Sequence, residues 1–174
     1  MSTRVFAAAA VVLVIGPCAG PHAQSQRGSD PVSPADRTAI EQLLGAYNQA
    51  LSSCESAQYA GLFTADGTFT SDDFRGATHR RLYGKTATLS GHEKLVELVE
   101  TEEFCLNPQE RAARAAASRT NAGSFHDLSL EVTGHGIRGV LPLGNGGRYE
   151  DVYVRTADGW KFKSRKVVMP AAPR

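Results

Sequence analysis

The sequence predicts an α+β fold, helices first and an antiparallel sheet after them, and three observations predict it. Ser33, Ser90 and Asn107 each open a segment with helix-start chemistry. From Ser124 onward the apolar residues change from helical spacing to alternation. The chain then closes on two alternating arms, Gly146 to Arg155 and Trp160 to Val168, which read as a β-hairpin. Helical segments followed by neighbouring strands fit an α+β domain. At 174 residues the chain has the length of one domain with a single core.

That domain is expected over residues 34–170. Ahead of it, Arg4, the apolar run Val5 to Ile15, then Gly16, Pro17 and Gly20 with small residues at Ala19, Ala23 and Ser25 form the three-part pattern of a secretory signal peptide over residues 1–25. The alternative is a buried N-terminal strand or helix. The apolar run is shorter than the ~20 residues a membrane-spanning helix needs, so no anchor is expected after processing. Pro17 also spoils a lipoprotein cleavage box at Cys18. A flexible leader rich in Gly, Ser and Pro follows over residues 26–33, and the expected location is periplasmic or secreted. Once Arg4 leaves, 18 basic and 18 acidic residues balance, so charge gives no reason to expect a nucleic-acid partner. Cys18 leaves too, and the remaining Cys54 and Cys105 invite a disulfide in an oxidising compartment. Closing that loop would stabilise by roughly 4 kcal/mol in the chain-entropy account. The alternative is two buried free thiols.

Ser33-Pro34-Ala35-Asp36 offers a capping hydroxyl, a proline at the first helical position and a carboxylate in the first turn, and Ile40, Leu43, Leu44, Tyr47 and Leu51 fall on one face behind it. A short helix with Tyr59, Leu62 and Phe63 is stopped by Asp66-Gly67, and Thr68-Phe69-Thr70 leads into an edge strand. The basic stretch Asp72 to Leu89, with Arg75, His79, Arg80, Arg81 and Lys85, reads as a long loop with one strand at most, docked by Tyr83 and Leu89. Ser90-Gly91-His92-Glu93 is a capping box before Leu95, Leu98 and Val99. Asn107-Pro108-Gln109-Glu110 starts an Ala-rich segment that is a surface helix or a mobile loop. His126, Leu128, Leu130 and Val132 then share one strand face, and Ile137 to Leu143 form the next strand. Asn145-Gly146 supplies the following turn.

Gly134-His135-Gly136-Ile137-Arg138-Gly139 matches the glycine spacing of dinucleotide-binding turns, but Pro142, Gly144 and Gly147 forbid the helix such a turn must open. It reads as a hairpin turn. The five histidines show no metal-binding spacing, so no metal is expected. No nucleophile elbow is present, and no cofactor motif survives. His126 is the natural proton-transfer candidate, because imidazole titrates near neutrality, although a histidine on a strand face is often structural.

In the closing hairpin, a three-residue loop Ala157-Asp158-Gly159 sets Val154 opposite Phe162 and Val152 opposite Ser164. Val152, Val154, Trp160 and Phe162 then share one face, and Tyr149, Asp151, Tyr153, Lys163 and Arg165 the other. A two- or four-residue loop would instead put Asp151 and Tyr153 with Trp160 and Phe162. Asp151 between two tyrosines reads as a general base or acid, or as a carboxylate neutralised by Arg165 or Lys166.

Taken in order, the capped helix ending in Tyr47, Leu62-Phe63-Thr64-Ala65-Asp66-Gly67-Thr68-Phe69, Gly91-His92-Glu93-Lys94-Leu95, Tyr149-Glu150-Asp151-Val152-Tyr153 and Asp158-Gly159-Trp160-Lys161-Phe162-Lys163-Ser164-Arg165 resemble the SnoaL-like family of the nuclear-transport-factor-2-like superfamily. The resemblance spans roughly Asp36 to Val168. It implies a cone: a curved antiparallel sheet packed on N-terminal helices around an apolar pocket, often in a homodimer. Relatives include polyketide cyclases, ketosteroid isomerase, scytalone dehydratase and limonene-epoxide hydrolase, alongside members without catalysis. The pocket tyrosine of scytalone dehydratase maps to Tyr47. The Arg-His pair and asparagine that many members carry at the strand matching Phe125 to Val132 are absent or displaced, since the chain reads Ser118-Arg119-Thr120-Asn121 and Phe125-His126-Asp127.

Two functions follow. One is a cofactor-free lyase, isomerase or cyclase acting on a small apolar carbonyl or hydroxyl compound, with Asp151 or His126 as base and Tyr47 and Tyr153 donating to a developing oxyanion. Tyr149, Arg165, Phe63 and Leu128 are the candidate ligand-binding residues. The other is an exported ligand-binding or assembly module that uses the same pocket without turnover.

Overall fold

The computed structural model describes residues 31–120 and 125–170. The expected signal peptide, most of the leader, and Asn121 and Ser124 lie outside the described residues. Helix α1 (Pro34–Ser52) begins as its sequence directs: Ser33 Oγ accepts the Asp36 amide at 3.1 Å, and Pro34 needs no partner at the first turn. Its buried stripe is Ile40, Leu43, Leu44, Tyr47 and Ala50. The chain leaves α1 through Cys54 in the left-handed region (φ 60°). The Cys54 amide still caps Leu51 O at 3.1 Å. Helix α2 (Ser56–Gly61) follows, then strand β1 (Phe63–Ser71).

The basic stretch after β1 is more ordered than its sequence suggests. It contains helix α3 (Ala77–Tyr83) and strand β2 (Ala87–Ser90). Helix α3 has no capping side chain of its own; the Thr78 amide is taken by Glu103 Oε1 at 3.1 Å, and Arg80 Nε donates to Phe74 O at 2.9 Å. Helix α4 (His92–Glu100) does not use the expected capping box. Gly91 occupies the cap at φ 83°, a conformation that suits glycine, and its amide bonds Gly67 O at 3.0 Å. Helices α5 (Glu103–Leu106) and α6 (Pro108–Thr120) complete the helical layer, and Asn107 Oδ1 accepts the Gln109 and Glu110 amides at the start of α6.

The sheet runs β2-β1-β6-β5-β4-β3, with β3 (Ser129–Thr133), β4 (Gly136–Pro142), β5 (Arg148–Thr156) and β6 (Gly159–Val168) forming the antiparallel meander. Strand β1 is therefore interior, not an edge. It pairs antiparallel with β2 and parallel with β6, and this last pair joins the N-terminal half to the meander. The Gly134-to-Gly139 motif is the β3–β4 turn and start of β4, with Thr133 paired to Gly136. The sheet curves around α1, and the core lies between α1 and α4 and the inner sheet face, around Ile40, Leu44, Tyr47, Phe63, Leu95, Val99 and Phe162.

The closing hairpin departs from its expected register. Its loop is two residues, Ala157 and Asp158, with Thr156 opposite Gly159 and Tyr153 opposite Phe162. A bulge then absorbs one residue of β6, and beyond it Val152 faces Ser164 and Asp151 faces Arg165, as a three-residue loop would have placed them. Lys163, the extra residue, turns outward to Asp66. Phe162 and Arg165 thus reach the inner face together with Asp151 and Tyr153, all four buried.

Cys54 and Cys105 form a disulfide with a Cα–Cα distance of 5.7 Å, tying the end of α1 to α5.

Candidate functional site

Two charged clusters lie inside the cone, and the first is sealed. The Arg165 and Asp151 side chains are 1% and 0% exposed. Arg165 Nε donates to Asp151 Oδ1 and Nη2 to Oδ2, each at 3.0 Å, the bidentate fork that planar guanidinium favours. The Tyr153 hydroxyl donates to Oδ2 at 2.7 Å. Its ring fits only because Gly139 lies beneath it: a Cβ there would stand 2.6 Å from Tyr153 Cε2. The guanidinium carbon lies 4.0 Å from the Tyr47 ring centre, 3.9 Å from that of Tyr149 and 4.6 Å from that of Phe162. Burial works against the charge on Arg165, but Asp151 and the surrounding tyrosines outweigh it and hold the guanidinium above its ordinary pKa. Burial likewise raises Tyr153, and Asp151 adds to the effect. Arg165 Nη1 is buried without a partner among the described residues.

The second cluster is open. A cavity of about 160 Å³ lies between α1, α2, β1, α3 and the end of α4. Tyr47, Tyr59, Phe69, Phe74 and Leu98 make its walls largely apolar, and Ser71, Asp73, His79 and Glu102 bring polar groups to it. The Tyr59 hydroxyl donates to the Tyr47 hydroxyl at 3.3 Å, which leaves the Tyr47 proton for an incoming oxygen. Burial pushes both tyrosines well above their ordinary pKa, so both are protonated donors; Arg165 pulls the other way. His79 Nε2 lies 2.9 Å from Leu98 O and 3.2 Å from Thr101 Oγ1, and Nδ1 lies 3.6 Å from Glu102 Oε1. Burial raises the Glu102 pKa, partly offset by His79 and Arg114, while Glu103 adds to the rise.

A larger groove, about 400 Å³, lies across β4, β5 and β6, lined by Arg138, Val140, Glu150, Val152, Ser164 and Lys166 and bordered by Asp151, whose side chain is 0% exposed. The charged ends of exposed Arg138 and Lys166 on its wall make it a surface feature rather than an apolar pocket. Among the described residues no group of three or more His, Cys, Asp or Glu side chains is placed to hold a metal ion.

The residues singled out from the sequence separate here. Tyr47 lines the cavity. Asp151, Tyr153, Tyr149 and Arg165 do assemble, but behind Tyr47, where Asp151 has both oxygens engaged; it holds Arg165 and offers no base to the cavity. His126 is exposed in a turn before β3 rather than on a strand face, because β3 begins only at Ser129. Phe63 is buried with its ring 5.0 Å from that of Phe162, and Leu128 is buried with its carbonyl accepting from Arg37 at 3.2 Å; both are core rather than cavity wall. His79 and Glu102 are the residues that pattern reasoning missed. His79 sits among arginines in a stretch without periodicity, and its partners lie on α4 and beyond, so no local signal marks it.

Similarity to known proteins agrees with this fold. Residues 33–166 match the model of the SnoaL-like domain. No curated protein matches the sequence. Among solved structures, a nuclear-transport-factor-2-like protein with a cystatin-like fold from Novosphingobium aromaticivorans is 15% identical over 80% of this chain and 84% of its own, with a TM-score of 0.51. ActVI-ORFA from Streptomyces coelicolor is 18% identical over 82% of this chain and 100% of its own, with a TM-score of 0.51. A Catenulispora acidiphila protein solved in complex with S-DNPA is 19% identical over 78% of this chain and 93% of its own, with a TM-score of 0.52. At these identities the likeness is one of fold.

Proposed function

The chain belongs to the SnoaL-like domain family, and from that premise we propose that it binds a small, largely apolar molecule with an oxygen function in the inner cavity. The observation that carries this reading is the meeting of two protonated tyrosine hydroxyls, Tyr47 and Tyr59, in a cavity whose apolar wall includes Phe69, Phe74 and Leu98. A volume of about 160 Å³ suits a single ring, since a cavity of roughly 150 Å³ takes a benzene-sized molecule. That the Catenulispora acidiphila protein of like fold holds a small molecule supports a ligand here without naming it.

The chemistry proposed is cofactor-free and rests on hydrogen-bond donation. Arg165, fixed by Asp151, sets its charge under the Tyr47 ring. The Tyr47 proton is then the donor to a carbonyl or enolate oxygen, as lyase, isomerase and cyclase reactions require. A second reading, binding without turnover, is favoured by one observation: neither the buried Asp151 nor the exposed His126 presents a base to the cavity.

Export to the periplasm or beyond is part of the same proposal, and the Cys54–Cys105 bridge supports it, since such bonds persist in oxidising compartments. Pairing of two copies, which family resemblance implies, is open to sedimentation measurement. Native mass spectrometry of protein purified from its own host should show a retained small molecule, and Tyr47→Phe should weaken its retention by about tenfold, the worth of one buried hydrogen bond. Protein that emerges empty, and whose melting temperature ignores a panel of single-ring ketones and phenols, would end the ligand reading.

A further inference from the structure

His79 is a buried imidazole whose proton positions can be deduced from its neighbours. Nε2 faces Leu98 O at 2.9 Å, and a main-chain carbonyl can only accept. The second neighbour of Nε2, Thr101 Oγ1, donates its own proton to Glu97 O at 2.6 Å and so accepts as well. Nε2 therefore carries a hydrogen in both charge states of the ring. Nδ1 faces Glu102 Oε1 at 3.6 Å. A lone pair and a carboxylate oxygen repel each other at that distance unless a proton lies on one of them. The ring cannot swing away, because Phe74 and Tyr83 pack against it at 5.7 and 5.6 Å.

Both members of the pair touch the inner cavity, together with Tyr47 and Tyr59. Glu102 keeps 31% of its side chain exposed, while that of His79 is 6% exposed, so the carboxylate is the more accessible member of the pair. This arrangement differs from a salt bridge that only fastens helices. At 3.6 Å the two groups are too far apart for a closed hydrogen bond, a looseness that suits groups that tighten around a reacting molecule.

We infer that His79 and Glu102 are a proton-transfer pair on the cavity wall, with Glu102 exchanging a proton with a small carbonyl compound and His79 holding or returning it through Nδ1. The inference rests on the proposed ligand reading and decides between its two forms in favour of turnover. The Glu102 carboxylate takes a hydrogen from the carbon beside the carbonyl. The C–H pair becomes a C=C bond, and the carbonyl π pair moves to oxygen, where the Tyr47 hydroxyl donates to it. Return of the same proton to that carbon or to the far end of the conjugated system completes an exchange or an isomerisation without net change in protons. The charged and titratable groups around the pair are Glu103 on α5, Arg114 on α6, Tyr59 on α2, Tyr83 on α3 and Asp73 after β1. Because burial lifts Glu102, its base form grows in at a higher pH than a free carboxylate's, and exchange should rise across that range.

The test uses the mature protein and 2-indanone, a planar ketone with acidic hydrogens on both sides of the carbonyl. Loss of those hydrogens in D₂O is followed by proton NMR. The wild type should accelerate exchange about 100-fold over buffer, the contribution expected of one positioned base. Glu102→Gln should return the rate to that of buffer, and His79→Gln, whose amide can still donate to Leu98 O, should lower it about tenfold and alter its pH profile. Nitrogen NMR of the unaltered protein serves as the check that needs no folded variant: Nε2 should keep its hydrogen, and bound 2-indanone should shift the Nδ1 resonance. Glu102→Gln protein that exchanges as fast as wild type, or an Nδ1 resonance blind to the ketone while the ketone binds, would reduce the pair to a structural clasp and overturn the inference. Absence of 2-indanone binding to the wild type by saturation-transfer NMR is a different failure: it removes the ligand reading for carbonyl compounds, and this role with it.

Discussion

Arg165–Asp151 and His79–Glu102 both set a basic side chain against a carboxylate beside aromatic rings, yet they are built for opposite ends. The first has two fork bonds at 3.0 Å, a tyrosine hydroxyl on the same carboxylate and no solvent contact. Its guanidinium never gives up a proton. The second has one nitrogen anchored, the other 3.6 Å from its partner, and a carboxylate that reaches the cavity. A closed pair of permanently charged groups fixes geometry; a loose pair of titratable groups beside a cavity can move a proton. Alternation along β5 makes Asp151 of the first pair visible in the sequence, as a base or as a carboxylate neutralised by Arg165 or Lys166.

The comparison breaks most forcefully at Asp151. Asp151→Ala leaves Arg165 buried without its counter-ion and should cost about 3–5 kcal/mol in urea unfolding, the penalty for stranding one member of a buried pair. Asp151→Leu combined with Arg165→Met and Tyr153→Phe, which removes every charged or donating member, should recover most of that loss. A small effect of Asp151→Ala would mean that the cluster is not closed in solution, and the contrast with Glu102 would lose its basis.

The disulfide gives the next largest effect and sharpens the contrast regionally. Cys54 follows α1 and Cys105 lies three residues beyond Glu102, so the bridge holds the segment that carries Glu102. Replacing both cysteines by alanine should cost about 2–4 kcal/mol. Before global unfolding, hydrogen exchange should quicken at the Cys105 and Leu106 amides, which both bond Glu102 O. The Tyr153 region of β5 should stay protected. Equal acceleration in both places would show that the two clusters are not independently held.

What the sequence disclosed and what it hid follow from where each signal resides. Alternation along β5 brought Tyr149, Asp151 and Tyr153 onto one face, because a strand's period is local. The loop length did not follow, since Ala157-Asp158-Gly159 suits either a two- or a three-residue turn. The bulge at Lys163, which reconciles the two registers, is set by packing of Phe162 and Arg165 against α1. Leu128 and Leu130 invited the same alternation back to His126, but the chain turns there instead. His79 was the least legible residue. Helix α3 owes its start to Glu103, and His79 finds its partners at Leu98, Thr101 and Glu102, so nothing within one turn of sequence announces burial or role.

The smallest expected effect is the one that separates the pairs by chemistry rather than by packing. Burial raises Glu102 in the folded chain above its ordinary value of 4.5, so the fold holds this proton more tightly than the unfolded chain does. Below 4.5 the group is protonated in both states and its contribution is fully present; as pH rises through the raised folded value, that contribution is lost. Glu102→Gln cannot titrate. The stability of wild type relative to Glu102→Gln should therefore fall as pH climbs out of the acid range and level off once Glu102 has ionised in the fold. Arg165 contributes no slope in this window, because its surroundings hold the guanidinium above its ordinary pKa. Parallel pH–stability curves for the two proteins would mean that Glu102 ionises in the fold as it does in the open chain. The proton would then belong to neither member of the pair in particular, and His79–Glu102 would be as static as the cluster behind it.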